Sequence, residues 1–142
     1  MPSNPEILFV DDSKTIRRLA EKILSEKYSV ATCANGDEAW ATLRTTLSIK
    51  IVFTDINMSG MNGTELLTNI RESKNSRIAA MPVIMITGAS DTEKMMREVF
   101  ELGATDFIAK PFKSMDLLSR AYSYIKLNDK VNSLEQQLGL DK

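Results

Sequence analysis

The sequence predicts an α/β fold in which a parallel five-stranded sheet is covered on both faces by helices. Two observations carry this. Five short, nearly continuous apolar runs recur along the 142 residues, and between them the apolar spacing changes to that of a helix. Strands covered on both faces have no solvent side, so their runs are solid rather than alternating. Strand–helix alternation then favours right-handed crossovers and a parallel sheet.

The first run, Glu6–Val10, stops at Asp11-Asp12. The stripe Ile16, Leu19, Ala20, Ile23 and Leu24 follows, with Ser13 as N-cap. Tyr28–Cys33 is the second strand, and Asn35 caps a helix bearing Ala39, Trp40, Leu43 and Leu47. The third strand, Ile49–Thr54, ends at Asp55, and Gly63 precedes the stripe Leu66, Leu67 and Ile70. Pro82–Thr87 is the fourth strand. The helix after it carries Met95, Met96, Val99, Phe100 and Leu102, capped by Asp91, or by Ser90 if Ser90 and Glu93 form a capping box. Gly103 stands where that helix needs a left-handed residue to finish. Thr105–Ala109 is the fifth strand. Lys110-Pro111 follows it, and then the stripe Leu117, Leu118, Ala121, Tyr124 and Ile125.

Composition narrows the chemistry. A net charge of −1, with no dense run of Lys or Arg, gives no reason to expect direct binding to nucleic acid or an anionic membrane. No stretch is apolar for the length of a membrane span, and Met1-Pro2-Ser3-Asn4 lacks a signal-peptide pattern, so the cytoplasm is the expected location. Cys33 is the single cysteine, so no internal disulfide forms, and its apolar surroundings (Val30 to Ala34) predict a packed thiol. Histidine is absent, which removes phosphohistidine chemistry, a Ser-His-Asp triad and His-based zinc sites from this chain.

The sheet's C-terminal edge is where open α/β folds hold ligands. It would gather Asp11, Asp12, Asp55, Thr87 and Lys110. Three carboxylates repel unless a cation lies among them. Oxygen ligands favour Mg²⁺, or Mn²⁺ in its place, with phosphate oxygens completing the shell. Lys110 would neutralise charge and bind a phosphoryl group as a point charge. Each signal also has a plain structural reading: Asp12 or Ser13 as a helix cap, Asp55 at a turn, Thr87 as a β-branched strand residue, and Lys110 before a turn proline.

The four signals in order, with Asp55-Ile56-Asn57-Met58-Ser59-Gly60-Met61-Asn62-Gly63, Thr87-Gly88-Ala89 and Gly103 to Phe112, resemble the receiver domain of two-component response regulators. The resemblance covers roughly residues 6–126. It implies a flavodoxin-like (βα)5 doubly wound sheet in the order 2-1-3-4-5, and a bacterial signalling switch. Asp55 would accept a phosphoryl group from a sensor histidine kinase or a histidine phosphotransfer protein. Asp12 and Asp55 would ligate Mg²⁺ directly, Asn57 through its backbone carbonyl and Asp11 mainly through water. Thr87 and Lys110 would contact the phosphoryl oxygens, the Lys110-Pro111 bond would be cis, and Thr87 and Phe107 would be the switch pair. Phe107 has an equal reading as fixed core, since it lacks a hydroxyl. Asn57 and Ala89 flank the acceptor where receivers tune hydrolysis. Ser59 replaces a common proline and should loosen the loop after Asp55.

Two other functions share parts of this pattern. Haloacid-dehalogenase-like phosphatases use a strand-end Asp nucleophile but need a second Asp two residues on as proton donor, where this chain has Asn57. An FMN carrier would need a phosphate loop after the first strand, where Asp11-Asp12 repels phosphate. No enzymatic turnover is expected beyond self-phosphorylation at Asp55 and autodephosphorylation.

Residues 1–126 read as the receiver and 127–142 as a helical extension. Tyr124, Leu127, Val131, Leu134 and Leu138 follow a-d-a-d-a spacing, and valine at a with leucine at d suits a parallel dimer. Lys130 at g faces Glu135 at e of a second copy. The extension reads as a coiled-coil linker to an output domain, such as a nucleotide cyclase, or as a solvated end of the last helix in a stand-alone receiver that docks partners. Gly139 would end the helix or begin a linker. The signalling face would be the helix after the fourth strand, the fifth strand and the last helix, with Lys94, Arg97, Glu98, Asp106 and Arg120.

Overall fold

The computed structural model describes residues 4–139, so the outermost ends of both segments, 1–3 and 140–142, lie outside the described residues. The elements are β1 (Ile7–Val10), α1 (Lys14–Leu24), β2 (Val30–Cys33), α2 (Gly36–Thr45), β3 (Ile51–Asp55), α3 (Gly63–Arg71), α4 (Ser76–Ala79), β4 (Val83–Thr87), α5 (Glu93–Glu101), β5 (Asp106–Ala109) and α6 (Ser114–Gln137). All five strands are parallel, in the order β2-β1-β3-β4-β5, a flavodoxin-like doubly wound sheet.

Successive strand residues point to opposite faces, so each strand feeds two cores. Ile7, Phe9, Ile51, Phe53, Ile84 and Ile86 pack beneath α1 and α6 with Ala20, Leu24, Leu117 and Ala121. Leu8, Val10, Val52 and Met85 pack beneath α2, α3 and α5 with Leu43, Leu66, Leu67, Ile70 and Val99. Ser13 and Asn35 cap α1 and α2 by accepting from Ile16 and Glu38 amides. Gly103, just past α5, has φ 108°, and Gly139, just past α6, has φ 71°, both in the left-handed region.

Several sequence expectations are corrected. The N-cap of α5 is Thr92, whose hydroxyl accepts from the Met95 amide, rather than Asp91 or Ser90, because the Asp91 carboxylate is engaged elsewhere. The helix α4, capped by Asn75, has a single turn and no detectable apolar period. Leu47 lies beyond the end of α2 and is 74% exposed; Phe100 at 62% and Leu102 at 40% also face outward, leaving Val99 as the buried residue of α5.

The last helix runs through residues 126 and 127 without a break. Its overhang exposes Leu127, Val131, Leu134 and Leu138. Lys50 Nζ ties it to the body, 3.0 Å from Asp129 Oδ1, and a groove of about 970 Å³ lies between overhang and body. No helix among the described residues is long and apolar enough to cross a membrane.

Candidate functional site

Register builds the site. Val10 pairs with Thr54 across β1 and β3, so Asp11 and Asp55 come level at the sheet's C-terminal edge. Thr87 pairs with Ala109 across β4 and β5, which brings Lys110 level with Gly88. Carboxylate oxygens of Asp11, Asp12 and Asp55 all lie within 4.8 Å of one another. Asp11 is fully buried, Asp55 is 7% exposed and Asp12 is open to solvent.

The cation already among these carboxylates is Lys110. Its Nζ lies 2.8 Å from Asp55 Oδ2 and 3.1 Å from Asp11 Oδ2. Burial pushes the Asp55 carboxyl above its ordinary pKa despite the hydrogen bond from Lys110. Burial would lower Lys110, but its donation to Asp55 and the negative charge of Asp55 and Asp11 outweigh it and raise the ammonium's pKa. The pair is therefore uneven: desolvation dominates at the acid, and attraction dominates at the base. The Lys110-Pro111 peptide bond is cis.

Backbone groups hold the acids in place. Asp11 Oδ1 accepts from the Ser13 amide at 2.8 Å, and Asp55 Oδ1 accepts a longer bond from the Asn57 amide at 3.3 Å. Arg17 donates to the Asp11 carbonyl at 2.8 Å, a contact that no motif in the sequence marks. Asp11 Oδ2 is buried and accepts no well-aligned hydrogen bond among the described residues, although the Lys110 ammonium stands nearby. That spare lone pair, in an all-oxygen cluster open on the Asp12 side, fits a hard divalent cation such as Mg²⁺ or Mn²⁺.

The remaining expected residues occupy the same edge. Thr87 is buried, and its hydroxyl donates to the Ile108 carbonyl at 3.4 Å, toward β5. Phe107 is partly buried against the core under α5. The Asn57 side chain donates to Asp91 Oδ1 at 2.7 Å, and the Gly88 amide donates to Asp91 Oδ2 at 2.6 Å. The sequence marks Asp91 only as a candidate helix cap, since nothing local reveals a partner 34 residues away.

On the outer face Lys94, Arg97 and Glu98 are exposed. Arg120 and Tyr124 instead both bond Asp106 Oδ2, at 3.2 Å each, so that part of the face is internally paired. The family model for the response regulator receiver domain matches residues 7–122. The chain is 32% identical over 126 residues to chemotaxis protein CheY1 of Helicobacter pylori, covering 87% of this chain and 99% of that one. It is 34% identical over 121 residues to regulatory protein VanRB of Enterococcus faecalis, covering 84% of this chain and 52% of that protein. Among solved structures, the adenylate cyclase chain from Rhodopirellula baltica superposes with TM-score 0.80 at 31% identity, covering 96% of this chain and 98% of that chain.

Proposed function

The chain belongs to the response regulator receiver family of two-component signalling, and from that premise we propose that it is a switch operated by phosphorylation of Asp55. The observation that carries this reading is the Asp55 carboxylate at the end of β3, paired with Lys110 at 2.8 Å inside the three-carboxylate cluster. An Asp55 oxygen attacks the phosphorus of a phosphohistidine on a sensor kinase or phosphotransfer protein. The O–P bond forms as the N–P bond breaks, and the imidazole leaves to take a proton from solvent. Hydrolysis later breaks the acyl phosphate by attack of water, restoring the carboxylate.

Asp11, Asp12, Asp55 and the Asn57 carbonyl would hold Mg²⁺ or Mn²⁺, which supplies positive charge for the phosphoryl oxygens when bound. Lys110 is already placed to exchange a carboxylate for a phosphoryl oxygen, an electrostatic contribution that needs little reorganisation. Thr87 would leave the Ile108 carbonyl for the same group, and Phe107 would follow it inward. Such a step spreads a local charge change over β4 and β5. Asn57 donates to Asp91 and carries no acidic proton, which supports a switch over a turnover phosphatase. The reading places the protein in the cytoplasm, where phosphorylated kinases meet it.

The test is intact-mass measurement after incubation with acetyl phosphate. One phosphoryl group should appear with Mg²⁺, none with chelator and none in Asp55→Asn. Equal labelling of that variant would sink the acceptor assignment.

A second reading concerns the overhang of α6. Its exposed a-d stripe supports a parallel dimer helix that relays the signal to an output domain or partner. The adenylate cyclase chain covers 96% of this chain and so reaches into the overhang, which supports a helix leading to an output domain without choosing its kind.

A further inference from the structure

We infer that Asp91 is a positioning residue that holds the site's rim closed in the unphosphorylated state by standing in for the incoming anion. The inference rests on phosphorylation at Asp55 and concerns its regulation. Direction follows from the ladder. In a parallel strand the N–H and C=O of one residue point to the same neighbour, and the next residue points to the other. The Ile86 carbonyl accepts from Ile56, on the β3 side, while the Thr87 carbonyl accepts from Lys110, on the β5 side. The Gly88 N–H therefore points back to the β3 side. β3 has ended at Asp55, which pairs with Ile86, so this donor faces the rim above the acceptor.

No oxygen of β3 meets that donor. Asp91 Oδ2 takes it at 2.6 Å, and Asp91 Oδ1 takes the Asn57 side-chain amide at 2.7 Å. One carboxylate thus clamps the loop after β3 to the loop after β4, across the mouth of the site. Asn57 is also the residue whose backbone amide holds Asp55 Oδ1. An anion occupying the rim's donors opposes a second anion on Asp55 in two ways. It withholds hydrogen bonds that phosphoryl oxygens would accept, and it adds like charge. Phosphorylation then requires Asp91 to release Gly88, which couples the β4–α5 loop to the event on β3. Asp91 precedes the Thr92 cap, so replacing it leaves the helix cap intact.

A scaffolding role predicts the opposite sign. If Asp91 only holds the loops in working order, removing it slows phosphorylation. The experiment uses the full chain as wild type, Asp91→Asn and Asp91→Ala. In the unphosphorylated, metal-free protein, ¹⁵N NMR should show the Gly88 amide and Asn57 side-chain amide resonances shifting together in Asp91→Ala. With Mg²⁺ and acetyl phosphate, labelling of Asp91→Ala should be faster than wild type by roughly fivefold, the factor of one ordinary hydrogen bond. Asp91→Asn, which keeps the shape but loses the charge, should fall between. Labelled wild type with an equal or slower Asp91→Ala variant overturns the anion role and leaves the receiver reading standing. Unshifted Gly88 and Asn57 resonances overturn the clamp itself, and an unlabelled wild type overturns the parent reading and this one together.

Discussion

Gly63, the first residue of α3, lies against the backbone of Asp55. A Cβ on it would run into the Asp55 carbonyl oxygen and come within 3.0 Å of the Asp55 carbonyl carbon. Its amide donates to the Ile56 carbonyl at 2.9 Å, so the helix start cannot back away without breaking that bond. The acceptor's main chain is thus shaped by a glycine eight positions downstream.

Gly63→Ala is expected to destabilise the protein by about 1–3 kcal/mol, as overpacking against backbone does. Alanine's better helix propensity is worth up to about 1 kcal/mol, too little to reverse the sign. Urea denaturation measures the loss, and slower labelling of Asp55 should accompany it.

The raised pKa of Asp55 has a stability consequence in metal-free protein. A carboxyl whose folded-state pKa exceeds its unfolded value favours folding when protonated. That contribution is full below the unfolded pKa and is lost as pH rises through the folded one. Asp55→Asn lacks it. In chelator, the variant should therefore gain stability relative to wild type as pH rises from the ordinary carboxylate range through the elevated value. Parallel urea midpoints across that window would contradict the burial argument.

Lys110 contributes charge that no other group in the ion pair supplies. Lys110→Ala is expected to slow labelling by acetyl phosphate roughly 100-fold, the scale of losing one preorganised electrostatic donor. The intact-mass time course reads this directly, with Asp55 still the labelled residue.

Arg71 shows what the sequence hid. Its guanidinium donates to the carbonyls of Gly103 at 2.8 Å, Ala79 at 3.0 Å and Met81 at 2.7 Å, and to the Thr105 hydroxyl at 3.2 Å. It closes chain ends from α4 to β5 at the edge opposite the acceptor. Lysine cannot reach these acceptors together, so Arg71→Lys should cost about 2 kcal/mol in urea denaturation. Labelling should not change.

The same contrast explains what was legible. Asp11, Asp55 and Lys110 could be placed from the sequence because each directly follows an apolar run, and a parallel sheet brings run ends together. Strand positions held for the same reason. Arg71 and Asp91 act through partners 32 and 34 residues away on elements whose approach no local pattern encodes. Phe100 and Leu102 depart from the stripe because apolar identity does not fix an inward direction: α5 turns only Val99 fully into the core. The one-turn α4 is too short to show a period at all.

The overhang of α6 supplies the last test. Leu127, Val131, Leu134 and Leu138 are 43–70% exposed, an apolar stripe that the domain itself does not cover. A lone helix so short gains little in water, whereas two copies in register bury the stripe on each other and pair Lys130 with Glu135. The tether from Lys50 to Asp129 is an exposed ion pair, worth less than about 1 kcal/mol, and does not hold the overhang against such a gain. Sedimentation velocity should show the full chain self-associating and a chain truncated after Lys126 remaining monomeric. Leu134→Asp should behave like the truncation, since it buries a charge in the seam without touching the receiver. Identical monomeric behaviour of all three, with and without phosphorylation, would remove the dimer helix and leave the overhang as a solvated end.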